Sequence, residues 1–210
     1  MLKKIITHLT LLTICLGKTI MINMETNLGL IQIELYPDKA PITVANFLQY
    51  VDEARYQELH FYRVVQMGNQ PNNKIKIEVI QGGLEIDKHP MELPPIHHET
   101  TNKTGFKHED GTLSMARLEP GTASSEIFIC INDQPELNFG GKRNPDGQGF
   151  AAFGRVVSGM DIVRQIQSKP EKEQMLVKPV KVNSIKRVKE TLNFSAVQND
   201  HLVHLKTFEQ

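Results

Sequence analysis

The 210-residue chain has no tryptophan, only two cysteines and no excess of charge of either sign, and each shortage excludes something. Cys15 and Cys130 are too few for a disulfide framework, and Cys15 falls in a segment open to removal, so no structural disulfide is expected. Twenty-four basic residues balance 24 acidic ones. That balance argues against a nucleic-acid partner, whose phosphates need Lys and Arg massed on one face. The longest mostly apolar stretch, Ile5 to Leu16, is too short to span a bilayer, so no stable membrane insertion is expected. A phosphate loop, a Gly-x-Ser-x-Gly elbow and a Cys or His pair at dependable zinc spacing are all missing. No metal is therefore expected. What is present, 40% hydrophobic and 23% charged residues, is globular in composition. The length suits one domain of roughly 150–200 residues with tails.

Lys3 and Lys4 ahead of Ile5 to Leu16 have the charge and length of a secretory signal, so residues 1–19 read as a signal-like leader. A periplasmic or secreted protein is the expectation. Thr7, His8, Thr10 and Thr13 dilute the stretch and no small-x-small cleavage site follows, which keeps a cytoplasmic protein as the alternative; Ile14 before Cys15 disfavours a lipoprotein. Residues 20–188 carry the regular patterning, and residues 189–210 form a polar tail with scattered apolar positions.

From Ile20 the apolar residues recur every second position. Ile31, Ile33 and Leu35 share one face and Gln32 and Glu34 the other, so Ile20 to Leu35 reads as a hairpin turning near Thr26 to Gly29. The period then changes: Pro41 opens a helix in which Val44, Phe47, Leu48 and Val51 form a buried stripe. Short strands are expected at Phe61 to Val65, Glu78 to Gln81, Thr112 to Ala116, Ile127 to Ile131, Phe150 to Val156 and Val180 to Val188, with a second helix at Gly159 to Gln167. Eight short strands and two helices predict a mainly β protein, a closed eight-stranded antiparallel β-barrel capped by two α-helices. Two long polar loops, Gln66 to Lys76 and Glu85 to Glu109, stand out as candidates for function or simple insertion.

Among candidate site residues, His97-His98-Glu99 is the best metal motif, but adjacent histidines on a loop rarely converge on one ion, and a solvated loop is favoured. His60 reads as a surface residue, and Ser124-Ser125 has no histidine at a recognisable offset to activate it. A sparse polar set in apolar strands is left: Arg63, Gln81 and Glu126. Taken alone, Arg63 fits equally well a barrel-exterior side chain or a structural ion pair.

Seven blocks then occur in one order. Ile33-Glu34-Leu35-Tyr36-Pro37-Asp38-Lys39-Ala40-Pro41, Thr43-Val44-Ala45-Asn46-Phe47, Phe61-Tyr62-Arg63-Val64-Val65 and Ile80-Gln81-Gly82-Gly83 come first. Gly111-Thr112-Leu113-Ser114-Met115-Ala116, Ser125-Glu126-Ile127-Phe128-Ile129 and Phe153-Gly154-Arg155-Val156-Val157-Ser158-Gly159-Met160 follow. Together they resemble the cyclophilin-type peptidyl-prolyl isomerases over nearly the whole of residues 20–188. The resemblance implies a barrel with a peptide groove on its outer surface and cofactor-free rotation of Xaa-Pro bonds in proline-containing polypeptides, as a folding helper. A binding module or chaperone for Pro-containing segments, with little turnover, is the alternative. By the same resemblance Arg63 matches the catalytic arginine and Gln81 a glutamine that orients it. Ala116 matches the strand that pairs with the peptide, Phe128 the floor of a proline pocket, and Val79, Leu137 and Phe150 its wall. A monomer is the simplest expectation.

The departures from the family pattern are Tyr62 for a histidine, Arg117 for an asparagine beside the peptide strand, and Glu126 for a groove glutamine, the last two kept as substrate-binding candidates. Glu78 and Glu136 stand where aromatic residues usually form the pocket and its rim. A longer connection separates Arg63 from Gln81. These acids predict a more charged site, with Arg63 paired to or oriented by a carboxylate, lower activity than a compact relative and weak cyclosporin binding.

Overall fold

The structure is a computed structural model that describes residues 19–85 and 89–188; Cys15, the body of the leader and the tail lie outside the described residues. The predicted hairpin is β1 (Ile20–Thr26) and β2 (Gly29–Leu35), in register with Ile22 opposite Ile33 and Met24 opposite Ile31. These four side chains are fully buried, while Gln32 and Glu34 are half-buried on the other face. The turn is two residues long. Thr26 Oγ1 accepts hydrogen bonds from the amides of Leu28 and Gly29 and donates to the Gly29 carbonyl, closing it from one side chain.

The chain continues through α1 (Pro41–Asp52), β3 (His60–Val65), β4 (Val79–Gly83), α2 (Thr101–Thr104), β5 (Thr112–Met115), β6 (Ile127–Cys130), a 3-10 turn (Pro135–Leu137), β7 (Ala151–Ser158), α3 (Met160–Gln167), β8 (Glu171–Lys172) and β9 (Met175–Arg187). All pairings are antiparallel, in the order β1-β2-β7-β5-β6-β4-β3-β9-β8, and β1 also pairs with β9. That last pairing closes eight strands into a barrel, leaving β8 as a short outrigger on β9. The eight-stranded barrel is as predicted.

Three details correct the sequence reading. A third helix, α2, is a single turn and too short to show a helical period. The last strand begins earlier than Val180, at Met175, because Pro179 interrupts its pattern; pairing with β3 jumps from Met175 to Val180 across that proline, which has no N–H to donate. Phe150 stands just outside β7.

The apolar side chains sort into two clusters. The larger fills the barrel and the seats of α1 and α3, from Ile22, Ile33, Phe61 and Phe153 to Phe47, Val51, Val163 and Ile166. The smaller lies on the outer wall: Val65, Ile77, Val79, Phe128, Cys130 and Leu137, with Ala116 and Phe150 packed against it. Strand alternation makes this division, because Ile80, Ile127 and Ile129 point inward and Val79, Phe128 and Cys130 outward. Among the described residues no helix is long and apolar enough to cross a membrane.

Candidate active site

The site begins with a bulge. Phe61 pairs with Gly82 and Arg63 with Gln81, so Tyr62 is an extra residue on β3. Phe61 and Val64 both enter the barrel core, and the extra residue leaves Tyr62 and Arg63 together on the outer face. The bulge also presses β3 onto β4. A Cβ at Gly82 would stand 2.6 Å from the His60 carbonyl oxygen, so only glycine fits there.

Arg63 is half-buried and its guanidinium is held by two amide oxygens. Nη1 donates to Gln81 Oε1 at 2.8 Å, while Nε and Nη2 donate to Gln174 Oε1 at 3.1 and 2.6 Å. Of its five N–H groups, three are spent on neutral acceptors and two remain. Burial pulls its pKa down from the usual arginine range.

Arg63 and Gln81 stand at the edge of an outer-wall groove of about 260 Å³. Of the residues expected there, Val79, Ala116, Arg117, Phe128, Leu137 and Phe150 line the same groove. Phe128 and Phe150 meet edge to face at 5.3 Å between centroids, and Phe128 lies parallel to the His108 ring at 5.9 Å. The Arg117 guanidinium forms a two-pronged pair with Asp146, donates to the Gly149 carbonyl and covers the Phe150 ring. The Arg117 hydrogen bond in turn holds the Asp146 carboxyl below its usual range.

A small apolar pocket with a fixed, uncompensated guanidinium at its edge suits a proline ring and its amide. The cyclophilin type peptidyl-prolyl cis-trans isomerase/CLD family model matches residues 21–188. A peptidyl-prolyl cis-trans isomerase of Acinetobacter baylyi is 37% identical over 172 residues, covering 79% of this chain and 84% of that protein. Peptidyl-prolyl cis-trans isomerase B of Escherichia coli is 39% identical over 149 residues, covering 70% and 84%. The chain belongs to the cyclophilin-type peptidyl-prolyl cis-trans isomerases. Its fold also matches a cyclophilin type isomerase of Cryptosporidium parvum, crystallised in the presence of the dipeptide Ala-Pro, with a TM-score of 0.64 at 20% identity over 81% of this chain and 99% of that one.

Within this cyclophilin the acids are placed differently from the sequence expectation. Glu126 does not line the groove. Its carboxylate accepts from the Tyr62 hydroxyl at 2.5 Å and from the Leu84 and Glu85 amides, and a Cβ on Gly83 would run into it. Those bonds turn it toward the end of β4. The Tyr62 hydroxyl, whose pKa burial and the Glu126 charge push up, accepts from Gln81 Nε2, so Glu126 reaches Arg63 only through two neutral side chains. Glu78 accepts from Asn132 Nδ2 and Glu136 from the Lys142 amide, both half-buried and neither in the groove. Of the two arrangements the sequence left open, a carboxylate paired directly with Arg63 is absent among the described residues.

The other candidates are structural. Ser124 bonds Tyr50 and the Leu93 carbonyl, and the Ser124 and Ser125 carbonyls take bonds from Asn46 and Tyr56 on or just after α1. His60 contacts Glu85 at 2.7 Å on the half-exposed edge of β3. Cys130 is a buried free thiol whose pKa burial pushes well up.

Sequence reading missed Gln174, Arg143 and His108. Gln174 and its neighbour Glu173 both have positive φ, 73° and 53°, in the turn between β8 and β9. Gln174 Nε2 donates to the Asn69 carbonyl, so the long loop after β3 fixes the acceptor that fixes Arg63. The same loop is organised by buried Gln70, which bonds the Gln66 carbonyl and both polar groups of the Ile77 backbone.

His108 supports the groove floor from below: its ring nitrogens contact Asn138 Oδ1 and Ser114 Oγ at 2.9 Å each. Burial lowers its pKa from 6.5 to about 4. The folded protein thus keeps the ring neutral where the unfolded chain protonates it, and stability is full above pH 6.5 and falls between pH 6.5 and about 4. The full loss from this ring is on the order of 3 kcal/mol. Thermal melts at pH 7 and pH 4.5 are expected to show a larger drop in Tm for the native protein than for His108→Gln; equal drops would remove His108 as the source.

Proposed function

We propose that this chain catalyses cis–trans rotation of Xaa-Pro bonds by aiming the two uncommitted N–H groups of Arg63 at a proline seated on Phe128. The observation that carries the reading is the guanidinium fixed by Gln81 and Gln174 at the edge of the apolar groove. Rotation is slow because resonance stiffens the C–N bond, with a barrier of about 18–20 kcal/mol. A donor to the prolyl nitrogen favours the pyramidal geometry in which that resonance is lost. A second N–H of the same planar fork can hold a substrate carbonyl, which lysine cannot do in the same way. No proton moves and no cofactor takes part.

Ala116, whose amide already bonds the Glu126 carbonyl, offers the edge beside which an extended peptide lies, while Val79, Leu137 and Phe150 enclose the ring. The substrates are proline-containing polypeptides during folding, where this isomerisation takes tens to hundreds of seconds unaided. The protein acts as a monomer. The deciding experiment is NMR exchange spectroscopy of an Xaa-Pro peptide with the native protein and with Arg63→Ala; equal exchange rates would overturn the assignment.

The charged and apolar start of residues 1–19 supports export to the periplasm or beyond. Mass spectrometry of the mature N-terminus is expected to show a chain shortened by about that leader, whereas an intact Met1 would support the cytoplasm.

A further inference from the structure

Three arginines line the groove, Arg63, Arg117 and Arg143, and no carboxylate does. Their charges are not equivalent. Asp146 neutralises Arg117. Arg143, like Arg63, bonds only neutral oxygens: its Nη1 donates to Gln70 Oε1 at 3.1 Å and to the Ile75 carbonyl at 2.7 Å. Both acceptors belong to the long loop after β3. Asn69 of that loop therefore anchors Arg63 through Gln174, and the adjacent Gln70 together with Ile75 anchors Arg143. Neither cation has a carboxylate partner among the described residues. Each also feels the protein's low dielectric more than a surface cation does: burial, and then the charge of Arg63, lower the pKa of Arg143.

This concentration of positive charge does not reflect the composition, because the chain as a whole is neutral. It is local, and the acids Glu78, Glu126 and Glu136 face elsewhere. Two half-buried cations held by neutral oxygens in one groove leave an anion unsupplied by the protein.

We propose that Arg143 makes this groove selective for proline segments with an aspartate or glutamate immediately beside the proline. The proposal rests on the isomerase reading and adds a substrate preference to it. The acidic side chain supplies the counter-charge that the groove lacks, and a lysine at the same place meets repulsion from both arginines.

The test uses two blocked pentapeptide frames, Ac-Ala-Xaa-Pro-Ala-Ala-NH2 and Ac-Ala-Ala-Pro-Xaa-Ala-NH2, with Glu, Ala or Lys at Xaa. NMR exchange gives kcat/KM and chemical-shift titration gives affinity. In at least one frame the native protein is expected to favour Glu over Lys on the order of tenfold, since attraction for one sign and repulsion of the other add. The ratio is expected to shrink between 50 and 500 mM NaCl, to persist in Arg143→Lys and to fall within about twofold in Arg143→Gln. Equal handling of Glu and Lys in both frames by the native protein overturns the proposal. So does a Glu preference that Arg143→Gln leaves intact, which would assign it to Arg63 alone. Absence of turnover on all the peptides would sink the isomerase reading, and the Glu-to-Lys affinity ratio would still decide this one.

Discussion

Arg63→Ala is expected to lower kcat/KM for an Xaa-Pro peptide by roughly 10²–10³-fold while the fold is retained. The size follows from what the guanidinium does. A preorganised donor aimed at a developing charge or lone pair is worth about 3–4 kcal/mol when removed singly. Arg63 is preorganised in that sense: three of its N–H groups are bonded to Gln81 and Gln174, so little reorganisation is left for the moment of rotation. The fold is expected to survive because Arg63 lies on the outer wall and not in the barrel core, and its loss frees two amides that are only half-buried.

The series around Arg63 separates donor from position. Arg63→Lys keeps the charge but loses the fork, and its activity is expected to stay near that of Arg63→Ala. Gln174→Ala leaves Arg63 chemically intact and removes two of its three anchors, so kcat is expected to fall roughly ten- to a hundredfold with peptide affinity little changed. Exchange NMR at saturating and subsaturating peptide distinguishes these cases. If Gln174→Ala lowers affinity and leaves kcat alone, Gln174 contacts the substrate rather than positioning Arg63.

Gln174 also shows where sequence reading stopped. Strand alternation located the barrel, because that periodicity is local, and the family resemblance carried by the blocks around Arg63, Gln81 and Phe128 pointed to the groove. Gln174 lies 111 residues from Arg63, in a turn whose left-handed backbone has neither Gly nor Asn to announce it. Arg143 and His108 reach the groove in the same way, through folding of irregular segments. The acids were misplaced for a different reason. Alignment by position treated Glu126 as groove-facing, but the amides of Leu84 and Glu85 and the bulged Tyr62 attract its carboxylate the other way. A one-residue bulge is invisible in composition and period, yet it puts Tyr62 beside Arg63 and sets both on the outer face.

Loss of Glu99 is expected to have the largest effect on stability. Glu99, read from the sequence as part of a solvated His97-His98-Glu99 loop, is buried at the start of α1, far along the chain from its partners. Its carboxylate accepts the amides of Ile42 and Thr43 and the Thr43 hydroxyl, at 3.2, 2.8 and 2.7 Å. Helix α1 needs this supply. Its N-cap is Ala40, whose methyl cannot accept a hydrogen bond, and Pro41 fills only the first orphan position. The negative charge also suits the positive end of the helix dipole. Glu99→Ala leaves the Thr43 amide and hydroxyl buried without this partner and frees the part-buried Ile42 amide, and is expected to cost about 2–4 kcal/mol. For a chain of this size that lowers Tm by roughly 5–15 °C. Glu99→Gln, which keeps one acceptor oxygen, is expected to fall between the two. Calorimetry with and without a chelator distinguishes capping from metal binding. A cap predicts a native Tm that ignores the chelator and a fall in Glu99→Ala under both conditions. A native Tm that drops with chelator to the level of Glu99→Ala would instead assign Glu99 to an ion.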